Sequence, residues 1–126
     1  MTGAIEIKRV SVILAHPDDE VLGCGGSIAR LASEGALVHI LIMATGLTSR
    51  GEANTAALDV IKYQSKEAAA ILGAASVEFA DYPDNAMDTL SMLEVVKKVE
   101  GFINKTEPDI IFTHHSGDIN IDHDIT

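Results

Sequence analysis

Eight consecutive residues, Leu37-Val38-His39-Ile40-Leu41-Ile42-Met43-Ala44, form an almost unbroken apolar run, and that run limits the fold more than any other stretch. A strand with one wet face alternates polar and apolar side chains, whereas a strand apolar on both faces is covered on both, as in a parallel sheet with helices above and below. The flanking segments supply the helices. Val10 to Ala15 reads as a shorter apolar strand. After it Val21, Cys24, Ile28 and Leu31 recur at helical spacing as far as Glu34, and Gly35 closes the helix. A polar loop, Thr45 to Thr55, leads to a second helix in which Leu58, Ile61, Ser65, Ala68 and Leu72 share one face before Gly73. Ser76 to Ala80 reads as a third strand and Asp81-Tyr82-Pro83-Asp84-Asn85 as a turn-rich loop. Met92, Val95, Val96, Val99, Phe102 and Ile103 mark a third helix, which Pro108 separates from a fourth strand, Asp109 to Thr113. The order βαβαβαβ implies an α/β fold with a mostly parallel sheet and helices on both faces.

Two chemically dense segments follow strands of this sheet. His16-Pro17-Asp18-Asp19-Glu20 follows the first, crowding an imidazole and three carboxylates into five residues, and His114-His115-Ser116-Gly117-Asp118-Ile119-Asn120-Ile121-Asp122-His123-Asp124 follows the fourth. Imidazole nitrogen and carboxylate oxygen are ready zinc ligands, and a catalytic zinc needs about three protein ligands plus water. A plainer reading stands beside this one: Asp18 and Asp19 are acids at a helix N-terminus, capping free N–H groups and complementing the helix dipole. The fold bears on the choice. In an open parallel sheet the ligand crevice lies outside the carboxyl ends of the strands, and if the sheet follows the common doubly wound order 3-2-1-4 the first and fourth strands are neighbours. The two segments then share one crevice.

Val12-Ile13-Leu14-Ala15-His16-Pro17-Asp18-Asp19-Glu20-Val21-Leu22-Gly23-Cys24-Gly25-Gly26, taken with Gly117-Asp118-Ile119-Asn120-Ile121-Asp122-His123, resembles the LmbE-like or PIG-L family of zinc-dependent N-acetylglucosamine deacetylases. The resemblance implies a Rossmann-like, three-layer αβα fold. It implies that His16, Asp19 and His123 hold Zn2+, that Asp18 is the general base, and that Asp122 orients a ligand or a catalytic histidine. His115 and Asn120 fall in a loop whose residue types differ among subfamilies, and they are carried over as substrate-binding residues. Arg50 is similar to an arginine that some members use on the sugar; its other reading is a solvated loop arginine. Residues 1–126 are expected to form a single domain that matches only the N-terminal part of the family domain, leaving the fold incomplete at its C-terminus. The nitrogen and oxygen ligand set also accepts iron, cobalt or nickel.

Composition narrows the partners. With 19 acidic and 9 basic residues the net charge is −10, which argues against nucleic acid or an anionic membrane and suits an uncharged N-acetylated sugar. No stretch approaches the roughly 18 apolar residues of a membrane span, and Met1 to Val10 lacks a signal-peptide core, so a cytoplasmic location is expected. A bare sheet edge leaves room for a homo-oligomer. Cys24, the only cysteine, reads as a buried structural thiol, His39 as a satisfied core histidine, and Met87 and Met92 as gap-fillers. Gly23-Cys24-Gly25-Gly26 lacks the third glycine of a dinucleotide loop, since position 28 is Ile28. Asp118-Ile119-Asn120-Ile121-Asp122 starts like a calcium loop, but His123 stands where its glycine belongs. The serious alternative to a deacetylase is a metal-dependent sugar-binding or assembly module without catalysis.

Overall fold

The computed structural model describes residues 5–45 and 55–126. Its elements run β1 (Arg9–Leu14), α1 (Asp19–Ser33), β2 (Leu37–Ala44), α2 (Thr55–Leu72), β3 (Ser76–Tyr82), a 3-10 turn (Met87–Thr89), α3 (Met92–Thr106), β4 (Ile110–Phe112) and a short α4 (Ile121–Ile125). The four strands form one all-parallel sheet, as the alternating pattern predicts, and their order is β3-β2-β1-β4, that of the common doubly wound arrangement.

Period-two alternation within the central strands sorts side chains into two cores. Val10, Val12 and Leu14 of β1 and Val38, Ile40 and Ile42 of β2 pack with Ile28 of α1 and Ala69 of α2. Ile13, Leu41 and Met43 point the other way, onto Met87 and onto Val95 and Phe102 of α3. Helices α1 and α2 thus cover one face and α3 the other, and β2 is apolar and buried from Ile40 to Ala44 because both of its faces are covered there. Ser11 is the polar exception on β1: its hydroxyl pairs with Thr106 Oγ1 at 2.8 Å, which satisfies both buried groups.

The helix ends are set locally. Gly35 (φ +96°) and Gly73 (φ +84°) adopt the left-handed conformation that closes α1 and α2, and in both cases the next N–H reaches back five residues, Ala36 to Leu31 and Ala74 to Ala69. Ser91 caps α3 by accepting the Glu94 N–H.

Several details depart from the sequence reading. The third strand continues to Tyr82, because pairing with β2 extends past the expected turn through an irregularity opposite Ala44. The fourth strand shrinks to three residues. Met92 is 58% exposed and Val96 is also exposed, so the packed stripe of α3 is Val95, Val99, Phe102 and Ile103. His39 is half-buried, not core, and its Nδ1 pairs with Ser76 Oγ at 2.7 Å. Cys24 breaks helical geometry inside α1 (φ −143°). Burial, and secondarily Glu20, raise its thiol pKa, as suits a structural thiol.

Ile40 is fully buried in the central strand, whereas Ile71 on α2 is 86% exposed. Ile40→Ala is expected to cost about 2–5 kcal/mol in urea denaturation, and Ile71→Ala to stay within about 0.5 kcal/mol.

Candidate active site

The site is assembled by the neighbouring ends of β1 and β4. Their register, Val10 with Ile110 through Val12 with Phe112, delivers the turn Ala15–Asp19 and the loop 113–120 to the same edge of the sheet. His16 Nδ1 lies 3.2 Å from His123 Nε2, which lies 3.2 Å from Asp19 Oδ2, and His16 Nδ1 to Asp19 Oδ2 is 3.6 Å. Zinc bonds of about 2.0–2.1 Å in tetrahedral geometry put ligand atoms about 3.3–3.4 Å apart. The triangle of donors fits such an ion.

Each imidazole turns its remaining nitrogen to a carboxylate. His16 Nε2 lies 2.7 Å from Asp122 Oδ2 and 3.0 Å from Asp84 Oδ1, and His123 Nδ1 lies 2.9 Å from Asp118 Oδ2. This is how metal-binding histidines are commonly oriented. Asp122 is 0% exposed. Its Oδ1 accepts the Met87 N–H and its Oδ2 the Asn85 N–H, so the carboxylate ties the loop after β3 to the back of His16.

The turn itself is unusual. Asp18 holds φ +103° and its side chain caps nothing, so the plain capping role fails for this residue. Its N–H donates to Glu20 Oε2 at 3.2 Å, and Glu20 is buried. A non-glycine residue at positive φ stores roughly 1–3 kcal/mol of strain, here borne at the rim of the site. The neighbouring Asp19 carboxylate is committed, accepting the His16 N–H at 2.9 Å.

Electrostatics follow from this packing. The Asp19 carboxylate raises the His16 pKa to about 9; burial opposes it and Asp122 adds to it. Burial would raise Asp19, but its bonds to His16 outweigh that and the net shift is downward. Asp18 is raised, by burial first and then by the charge of Asp19.

Of the residues singled out in the sequence, His16, Asp18, Asp19, Asp122 and His123 come together. His115 is exposed on the rim of a cleft of about 460 Å3, and a Cβ on Gly117 would come within 2.8 Å of its Nε2. Asn120 caps the short helix α4: its side-chain oxygen accepts the N–H groups of Asp122 (3.0 Å) and His123 (3.3 Å). Asp122 sits behind His16 and not beside its sequence neighbour. Arg50 lies outside the described residues. The sequence marks Asp84 only as part of a turn, and His114 and Asp118 only as members of the second dense segment, since neither turn position nor adjacency to another histidine shows which side chain reaches the site.

The class is that of an α/β domain whose parallel sheet carries, at the ends of two adjacent strands, nitrogen and oxygen donors close enough to hold a metal ion. Residues 11–126 match the PIG-L family, described as GlcNAc-PI de-N-acetylase, and the chain belongs to this family. It is 30% identical to the uncharacterized deacetylase YaiS of Escherichia coli over 98% of its own length and 66% of that protein. The structure of N,N'-diacetylchitobiose deacetylase from Pyrococcus horikoshii superposes with a TM-score of 0.81 at 27% identity, over 96% of this chain and 47% of that one. GalB of Pseudomonas putida, the 4-carboxy-2-hydroxymuconate hydratase, superposes with a TM-score of 0.79 at 30% identity, over 92% of this chain and 51% of that one. The chain therefore spans about half to two thirds of the length of these relatives.

The raised His16 pKa carries a stability consequence. A folded pKa of about 9 against an ordinary 6.5 gives a contribution complete below pH 6.5 and lost as the pH climbs through 9. The metal-free protein is expected to melt at progressively lower temperature over that interval, and Asp19→Asn to flatten the slope. A flat profile for the unsubstituted chain counts against the ion-pair description.

Proposed function

We propose that the chain is a zinc-dependent hydrolase that removes the acetyl group from an N-acetylglucosamine-type sugar or conjugate. The observation that carries this is the convergence of His16 Nδ1, Asp19 Oδ2 and His123 Nε2 at 3.2–3.6 Å, within a family whose description names a de-N-acetylase. In this reading these three atoms hold the ion, with iron, cobalt or nickel as substitutes. A bound zinc supplies Lewis acidity, polarising the amide carbonyl and acidifying water towards a pKa of about 7.

The chain's own residues do the rest. The Asp18 carboxylate, beside the ligands yet not among them, takes a proton from the attacking water as the new C–O bond forms. It returns that proton to the departing nitrogen as the C–N bond breaks, leaving acetate and an amine. Burial, and then the charge of Asp19, raise its pKa above the ordinary carboxylate value, the direction that makes it a better proton acceptor. Asp122 and Asp118 act through His16 and His123, fixing which nitrogen of each ring faces the ion. His115, exposed on the cleft rim, Asn120 and Arg50 are retained as sugar-contacting candidates.

Charge favours a neutral substrate over a carboxylated one. Two clefts, of about 710 and 460 Å3, flank the donor triangle. Their described linings include Asp18, Asp19, Glu20, Asp84 and Asp118 but neither lysine nor arginine. An anionic substrate of the kind GalB is named for would be repelled there. Among the described residues no helix is long and apolar enough to cross a membrane.

The test is acetate release from N-acetylglucosamine and N,N'-diacetylchitobiose, with metal content measured on the same sample. Chelation is expected to abolish release, zinc to restore it and calcium not to. Asp18→Asn is expected to keep its metal and lose roughly 10²–10⁴-fold in rate; turnover near that of the unsubstituted chain would remove Asp18 from the mechanism. Metal without acetate release assigns the chain to a sugar-binding or assembly module instead.

A further inference from the structure

Among the described residues, His114, Asp118 and His123 form another set whose donor atoms lie close enough to hold a metal ion. Ring geometry argues against a second ion there. His114 and His123 stack, with centroids 3.8 Å apart and planes inclined by 12°. An imidazole lone pair lies in its ring plane, so two nearly parallel rings aim their nitrogens along separate planes and not at a common point. The nitrogens are also engaged: His123 Nδ1 faces Asp118 Oδ2 at 2.9 Å, and His114 Nε2 accepts the Ala15 N–H at 2.8 Å.

Those same contacts describe a different job. Because its Nε2 accepts a backbone N–H, the His114 ring is anchored to the first residue of the turn that carries His16, Asp18 and Asp19. Its flat face lies against His123, whose edge is held by Asp118. One constraint on the face and one on the edge fix the direction in which His123 Nε2 points. We infer that His114 is a positioning residue, holding the Ala15–Asp19 turn and the His123 ring in mutual register through one backbone hydrogen bond and one stacking face, and that its cluster holds no ion of its own. This rests on the reading of His16, Asp19 and His123 as ligands.

The two contacts are separable by substitution. His114→Phe keeps the stacking face and loses the acceptor, His114→Gln keeps an acceptor and loses the face, and His114→Ala loses both. Metal affinity is read by Zn2+ competition against a chelating dye, ligand geometry by the visible absorption of the Co2+ form, and folding by the melting temperature of each metal-free protein. The unsubstituted chain is expected to bind one equivalent of metal. His114→Ala is expected to lose about 10- to 100-fold in affinity, with Phe and Gln between it and the parent and the Co2+ spectrum altered most in His114→Gln. The inference fails if His114→Ala binds Zn2+ like the parent, or if affinity losses merely track the metal-free melting temperatures. It fails equally if none of the variants folds, which makes His114 a folding residue, or if the parent takes up a second equivalent that His114→Ala loses. A parent chain that binds no metal overturns the ligand assignment itself and is recognised without any variant.

Discussion

The seam between β1 and β4 is the constraint on which the rest of the site depends. It is short, three residue pairs from Val10–Ile110 to Val12–Phe112, and three pairs alone would leave β4 free to slip. Side chains close it at both ends. Below the ladder, Asp109 Oδ2 accepts the N–H groups of Lys8 and Arg9 at 2.8 and 2.9 Å; above it, His114 Nε2 accepts that of Ala15. A one-residue slip would break these bonds and turn Ile110 and Phe112 away from the core they pack against. It would also separate His16 from His123, so register and ligand geometry are one property.

Around that seam the structure concentrates charge that a chain of net −10 has little spare cation to balance. Asp19, Asp84, Asp118 and Asp122 lie within 3.6 Å of a ring nitrogen of His16 or His123. In the metal-free protein the balancing charge is the His16 imidazolium, which explains its pKa of about 9. A site that protonates its own histidine when empty is a site that favours positive charge, and a divalent ion competes for the same place. The strained Asp18 backbone belongs to this arrangement. Continuing α1 one residue earlier would relax it, but Glu20 holds the Asp18 N–H and Asp19 is committed to the His16 N–H, so the turn is fixed from both sides.

One scaffold serves more than one reaction, since both a diacetylchitobiose deacetylase and a hydratase superpose on this chain with similar TM-scores. The shared part is the fold. What distinguishes substrates lies in the cleft walls, and there the acidic lining of the described residues is the chain's own statement about charge.

The strands and helices were legible because their signals are local: an eight-residue apolar run, helical spacing in α1 and α2, and glycines at two helix ends all follow from backbone geometry and water avoidance within a few residues. The segments from His16 to Glu20 and from His114 to Asp124 stood out as clustered titratable groups at strand ends, and the resemblance to the PIG-L family picked His16, Asp18, Asp19 and His123 from them. The sequence was silent where the deciding contact was distant. Met92 lies on an exposed side of α3, and Asp122 meets His16, 106 residues away, not the histidine beside it. Sequence alone determined which groups were available and at which end of the sheet they would gather. Only the tertiary structure decided which nitrogen faces which carboxylate, because a ring's orientation is set by partners from β1, β4 and the loop after β3 at once, and no single stretch of chain contains them all.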